Sequence, residues 1–389
     1  MAVGSPVVEH GASAQVDPAR GFRVLGTDAT SGARRGRLST AHGLVETPAF
    51  MPVGTSAAVK MLAPEDLDAV GAQIILSNAY HLYLRPGHRL IADRGGLHRF
   101  MGWDRPILTD SGGFQVYSLA ALRRVTDQGV TFQSHLDGSR HELTPELAIE
   151  IQDALGSDIV MAFDECLGHP ATHDASRLAH RRTLQWARRC REVRRSRPSA
   201  LFGIVQGGFF PDLREESARE LTSLDFDGYA IGGLSVGESK PEMLGVIDQV
   251  APMLPADRPR YVMGVGTPMD LLDGVARGID LFDCVMPTRH ARTGWLFTHE
   301  GRVVIKHARY ATDDQPIDAA CGCSTCRRFS RAYLRHLFMS KEALGARLST
   351  IHNLWFYLKF MEDLRAALDD GRFAAFRRGI AAQEGEVSE

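Results

Sequence analysis

Short apolar runs that end in Gly, Asn, Asp or Gln recur along the chain from about residue 45, each followed by a longer amphipathic stretch. The runs are AFMPVG (49–54), QIILSN (73–78), PILTDSGG (106–113), DIVMAFDE (158–165), LFGIVQGG (201–208), YAIGGLSVG (229–237), YVMGVG (261–266) and LFDCVMP (281–287). Apolar runs of this length, bounded by turn residues, read as buried strands. Between them stand helical patterns such as TPELAIEIQDALG and TPMDLLDGVARG, opened by Thr-Pro and closed by Gly, which are the start and stop signals of helices. Alternating strands and helices imply a parallel sheet. Eight such units over about 240 residues favour an α/β fold closed as a (β/α)8 TIM barrel, and no GxGxxG opens the first unit to support an open dinucleotide-binding sheet.

Two segments do not fit one strand and one helix. Residues 100–142 are too long for a single unit and alternate near GVTFQSHLDGSRHEL as an inserted hairpin would. From about residue 300 the chain carries a cysteine cluster and then helices with a basic, aromatic face, RRFSRAYLRHLF and HNLWFYLKFMEDLRAAL. The expected division is a disordered tail over 1–20, a catalytic barrel over 21–300, a subdomain with closing helices over 301–375, and a flexible tail over 376–389.

Composition narrows the class. At 389 residues, 44% hydrophobic and 24% charged, the chain can build a large soluble core. Its formal charge of -2 means that any polyanion must be met by a local basic patch. The first twenty residues lack a positive leader and a sustained apolar run, and no stretch approaches the roughly 18 apolar residues of a membrane span. Three of the six cysteines are crowded into CGCSTC, which suits metal binding in a reducing, cytoplasmic compartment better than disulfides.

In a barrel, polar residues at the C-terminal ends of strands converge on one mouth: Asn78, Asp110, Asp164, Glu165, Gln206, Gly232, Gly233, Gly264 and Asp283. Asp283 lies between Phe282 and Cys284 and has no turn to serve. With Asp110 of TDSGG it makes a carboxylate pair, the equipment for cleaving a glycosidic bond. Asp164, Gln206 and Gly233 supply acceptors and donors suited to a purine edge, and Phe114 and Met263 stand where they could sandwich a base. TRHARTG, directly after Asp283, and CRRFSRAYLRH supply arginines suited to phosphates. Cys321, Cys323 and Cys326, with His352 after LGARLST at an expected helix start, make a closed Cys3His shell of the structural zinc type; His336 and His307 are the neighbouring alternatives.

TDSGGFQ, MAFDEC, GIVQGG, AIGGLSVGE, YVMGVG, DLFDCVMPTR and CGCSTC, in this order over about residues 20–375, together resemble the tRNA-guanine transglycosylases of queuosine biosynthesis. The resemblance implies a barrel with a C-terminal zinc-binding subdomain. It also implies exchange of the wobble guanine of G-U-N tRNAs (Asp, Asn, His, Tyr) for preQ1 at the anticodon loop. Under it Asp283 is the nucleophile that forms a covalent ribosyl-enzyme and Asp110 the general acid/base. Asp164, Gln206, Gly233, Leu234, Met263, Phe114 and Ser111 hold the base, and Arg289, Arg292 and Thr288 meet the RNA. Cys321, Cys323, Cys326 and His352 hold one structural Zn2+, and the chain pairs as a homodimer through the zinc region, away from any membrane. Val236 and Cys166 resemble the bacterial form, whose pocket is narrowed to preQ1, and about fifteen residues after 375 leave no room for the extra RNA-binding domains of archaeal relatives. His290 and Thr293 depart from the residues usual in bacterial relatives, and Phe114 stands where a Tyr is common.

Two other classes compete. A non-catalytic tRNA-binding subunit of the same fold would not need the full carboxylate set. A glycoside hydrolase would need exposed Trp beside the mouth, and of the four Trp only Trp295 lies near one of these strand ends.

Overall fold

The computed structural model describes residues 21–119, 122–194 and 199–387. The expected tail over 1–20 lies outside the described residues. The chain opens with an antiparallel sheet of β1 (Gly21–Thr27), β2 (Arg34–Thr40) and β3 (Gly43–Thr47). β4 (Ala49–Gly54), β5 (Ile75–Ser77) and β6 (Ile107–Thr109) begin a second sheet, which resumes after an insertion made of β7 (Arg123–Val125), β8 (Val130–Gln133) and β9 (Arg140–Leu143). β10 (Ile159–Met161), β11 (Ala200–Val205), β12 (Gly228–Ile231), β13 (Arg260–Val262) and β14 (Leu281–Cys284) complete it. The order β10-β11-β12-β13-β14-β4-β5-β6 closes on itself, so each of the eight apolar runs supplies one strand of a parallel barrel. The insertion is a separate three-stranded antiparallel sheet, one strand more than a hairpin.

Alternation along the strands explains the closure. Ala49, Met51 and Val53, Leu108, Ile159 and Met161, Phe202 and Ile204, Ala230, Tyr261 and Leu281 share one buried cluster inside the barrel. Phe50, Ile75, Ile107, Val160, Val262 and Phe282, one residue out of phase, pack in the larger cluster under the helices. A period of two thus divides each strand between two cores. The helices begin where their caps stand: Thr144 Oγ1 accepts from Leu147 N ahead of Pro145–Leu155, and Thr267 Oγ1 from Asp270 N ahead of Pro268–Ala276.

The first sheet plugs the barrel from below. Leu38 of β2 and Val45 of β3 belong to the inner cluster, with Phe22 packed against it. Arg34, at the start of β2, reaches Asp280 just before β14, donating from Nε to Oδ1 at 2.9 Å and from Nη2 to Oδ2 at 2.5 Å. Both side chains are buried, and Arg34 also donates to the carbonyls of Ala256 and Arg258, each at 2.7 Å.

After the barrel come the hairpin β15 (Trp295–Thr298) and β16 (Gly301–Val304) and the helices Arg331–Met339, Ala343–Asp369 and Phe373–Val387. The boundary expected at 300 therefore falls inside a hairpin, and the stretch expected as a flexible tail after 375 is helical as far as Val387. His352 lies inside the helix Ala343–Asp369 and not at its start. Among the described residues no helix is long and apolar enough to cross a membrane.

The buried Arg34–Asp280 pair yields a stability prediction. Asp280→Asn leaves a guanidinium buried without its counter-charge and costs on the order of 3–5 kcal/mol, read as a lowered midpoint in thermal or urea unfolding.

Candidate active site and metal centre

Three carboxylates occupy the C-terminal mouth of the barrel. Asp283 follows Leu281 in the same inward phase of β14, which is why an acid interrupts an apolar run. Its Oδ1 accepts from the Tyr261 hydroxyl at 2.5 Å and from Gly264 N at 2.9 Å. Burial raises its pKa above the ordinary carboxylate range, and these two donors offset part of the rise. Asp110 follows β6 and is buried; Oδ1 accepts from Ala79 N at 2.8 Å and Oδ2 from Asn78 Nδ2. Burial pushes the Asp110 carboxyl up to about 7 against those donors, and the charge of Asp283 adds to the rise. A carboxyl that titrates near neutrality is suited to giving and taking protons.

The third acid faces a donor set. Asp164 follows β10, and its Oδ1 accepts from Ser111 Oγ at 3.0 Å while Oδ2 accepts from Gln206 Nε2 at 2.8 Å. Burial raises its pKa too, opposed by the bonds from Gln206 and Ser111. Gly233 has φ +67°, and a Cβ there would lie 2.6 Å from Gln206 Oε1, so only glycine lets this backbone approach the amide. Leu234 is buried beside it, Met263 packs against the inner cluster, and Phe114 stands 45% exposed at the mouth. Cys166 is buried, and burial pushes its thiol up to about 12, which makes it a wall and not a nucleophile. The amides of Ser235 and Val236 donate to Glu238 at 2.6 and 2.8 Å, fixing the loop after Leu234.

The residues after Asp283 form the short helix Met286–Thr293. Arg289 is exposed on it and Arg292 half-buried, its Nη1 without a hydrogen-bond partner among the described residues. Thr288, the third residue of the expected RNA-facing set, is buried, and its hydroxyl donates to Val285 O at 3.1 Å in the helix's first turn. His290 turns toward Trp295, ring centroids 4.2 Å apart, and Thr293 donates to His290 O at 2.8 Å.

Cys321, Cys323, Cys326 and His352 are all buried and converge, with ligand atoms within 4.8 Å of one another. The three Sγ atoms lie 3.4, 3.7 and 3.3 Å from His352 Nδ1. Zinc bonds of about 2.3 Å to sulfur and about 2.0–2.1 Å to nitrogen give a tetrahedral edge of about 3.6 Å, so the four groups fit that metal. His352 Nε2 donates to Phe297 O at 2.7 Å, leaving the Nδ1 lone pair aimed at the sulfurs. His336 and His307 do not join them. Next along the helix, Asn353 accepts from Phe297 N and donates to Pro287 O and Trp295 O, and Tyr357 donates to Gly266 O at 2.6 Å. The metal centre is thereby tied to the helix that follows Asp283.

Several of these partners escape a sequence reading. Asn78 is legible as a strand-end polar residue but not as the clamp on Asp110. Tyr261 looks like one more aromatic in an apolar run, although it shares the phase of Met263. Arg214, in the helix Pro211–Thr222, is fully buried and donates to Val205 O and Gly208 O at 2.9 and 2.7 Å, holding the turn that presents Gln206. Nothing in DLREESARELTSL marks that arginine as inward.

The model of the family described as queuine tRNA-ribosyltransferase matches residues 28–386. A queuine tRNA-ribosyltransferase of Pelotomaculum thermopropionicum is 58% identical over 356 residues, covering 92% of this chain and 96% of that protein. One of Syntrophobacter fumaroxidans is 58% identical over 359 residues, with the same coverage, and one of Thermoanaerobacter pseudethanolicus is 54% identical over 369, covering 95% and 98%. With a match of this extent over a barrel whose mouth holds three carboxylates, the chain belongs to the queuine tRNA-ribosyltransferase family of pentosyltransferases.

Proposed function

We propose that the protein is a tRNA-guanine transglycosylase that exchanges the wobble guanine of G-U-N tRNAs for preQ1 through a ribosyl-aspartate intermediate. The observation that carries the reading is the pairing at one mouth of an anchored carboxylate, Asp283, with a second, Asp110, that titrates near neutrality. Asp283 attacks C1′ of the target nucleotide; the C1′–N9 bond breaks, and Asp110 in its protonated form supplies the proton the departing guanine takes up. The Asp110 carboxylate so formed then accepts the proton of the incoming base as that base attacks C1′ and releases Asp283. Two displacements at one carbon retain configuration.

The base edge meets Asp164, Gln206 and the Gly233–Leu234 backbone, with Ser111 orienting Asp164 and with Phe114 and Met263 on its faces. An exposed Phe114 suits a flipped, unpaired loop base. Val236 and Cys166 narrow the pocket to a small 7-substituent, as in the bacterial form. Arg289 and Arg292 hold the anticodon-loop backbone. The Cys3His centre holds one structural Zn2+, which supplies folding energy and no open coordination position. The reading includes homodimer formation through the zinc region and residence in the cytoplasm.

Three outcomes follow. Asp283→Asn abolishes the covalent RNA adduct on denaturing gels and lowers exchange at least about 10³-fold, while gel shift retains tRNA binding. Guanine release in a single turnover has a bell-shaped pH profile. It falls at low pH as Asp283 is protonated, and falls again as pH rises through about 7 because Asp110 loses the proton it must give; Asp110→Asn removes the alkaline limb. Elemental analysis finds one zinc per chain, Cys326→Ala loses it, and the variant's melting midpoint drops.

A further inference from the structure

Asp283 uses its two oxygens unequally. Oδ1 takes both hydrogen bonds, from Tyr261 at 2.5 Å and Gly264 N at 2.9 Å, and no described residue donates to Oδ2. Tyr261 has no freedom to do otherwise. It lies on β13, beside β14, is 0% exposed, and belongs to the inner cluster with Met51, Phe202 and Ile204. A tyrosine buried that deeply must find a partner for its hydroxyl inside the barrel, and the partner is the nucleophile. Gly264, with φ +73°, turns its amide onto the same oxygen.

We propose, resting on the transglycosylase reading above, that Tyr261 is a positioning residue with two effects: it leaves Oδ2 as the attacking atom, and it speeds release of Asp283 from the ribosyl ester. Both effects come from where the charge goes. In the first displacement the Oδ2–C1′ bond forms and C1′–N9 breaks, its electron pair leaving with guanine, and the carboxylate becomes a neutral ester whose carbonyl oxygen is Oδ1. A hydrogen bond to a carboxylate is about twice as strong as one to a neutral acceptor, so Tyr261 stabilises the free carboxylate more than the ester. In the second displacement N9 of the incoming base attacks C1′, and the Oδ2–C1′ electron pair returns to the carboxylate. The returning charge spreads to Oδ1, where two donors already point. The pair keeps the covalent state from becoming a trap.

A residue needed only for shape would, on losing its hydroxyl, lower adduct and turnover together. The proposal gives the opposite pattern. Wild-type protein and Tyr261→Phe are each mixed with stoichiometric end-labelled anticodon stem-loop RNA at fixed free guanine; the adduct is quantified on denaturing gels, and turnover by radiolabelled guanine exchange. Tyr261→Phe raises the ratio of adduct to free enzyme on the order of 10-fold while turnover falls. Installing 3-fluorotyrosine at 261, a stronger donor of the same shape, lowers that ratio, and decides the matter alone if Tyr261→Phe does not fold. An unchanged or reduced ratio in folded Tyr261→Phe, or an unchanged or raised ratio with 3-fluorotyrosine, overturns the proposal. Failure of the wild-type protein to form any adduct or exchange any guanine overturns the transglycosylase reading itself, a result distinct from either.

Discussion

The inward phase of the barrel strands is the constraint on which the site depends. β14 points Leu281 into the barrel, and the next inward position is Asp283, at the level where the apolar filling ends and the mouth begins. The same phase brings Tyr261 inward on the adjoining strand. Because the period is two and the strand register is fixed by closure, a slip of one residue would bury Phe282 in the barrel and turn the acid out among the helices. The chemistry is therefore set by the packing of the residues beneath it.

The three mouth carboxylates are held by neutral donors: Asp110 by Asn78 and Ala79, Asp164 by Gln206 and Ser111, Asp283 by Tyr261 and Gly264. The contrast is Asp280, three residues before Asp283, whose partner is the guanidinium of Arg34. Burial raises the pKa of Asp280 as well, but there a full opposite charge stands against the rise. Amides and hydroxyls hold the geometry while burial raises the pKa of all three, so that position and proton affinity are set by separate means.

The barrel is legible in the sequence because its strands are apolar runs bounded by turn residues, and Asp283 because it breaks one of them. The Cys3His set is legible because three cysteines in six residues are hard to explain otherwise. The basal sheet is not. RRGRLST in β2 sets Arg35 and Arg37 among outward contacts and leaves mainly Leu38 to mark its inner face, too weak an alternation to separate from a loop. Tyr261 and Arg214 are hidden for a different reason: each satisfies a local pattern, strand or helix, and only tertiary packing shows where its polar end is used. The burial of Thr288 is hidden in the same way, since its place beside two arginines says nothing of the helix turn in which its hydroxyl is bonded.

The plug under the barrel fixes the traffic through it. Leu38, Val45 and Phe22 pack into the lower end, and Met51, Tyr261 and their neighbours fill the bore above them, so among the described residues the mouth is a well with a closed floor. On the proposed mechanism, a base freed in that well leaves upward, past the nucleic acid still bonded to Asp283, and its replacement comes in through the same mouth. On that reading departure and arrival are ordered in time by the shape of the vessel, and a floor made of apolar side chains sets the sequence of events at a carboxylate it never touches.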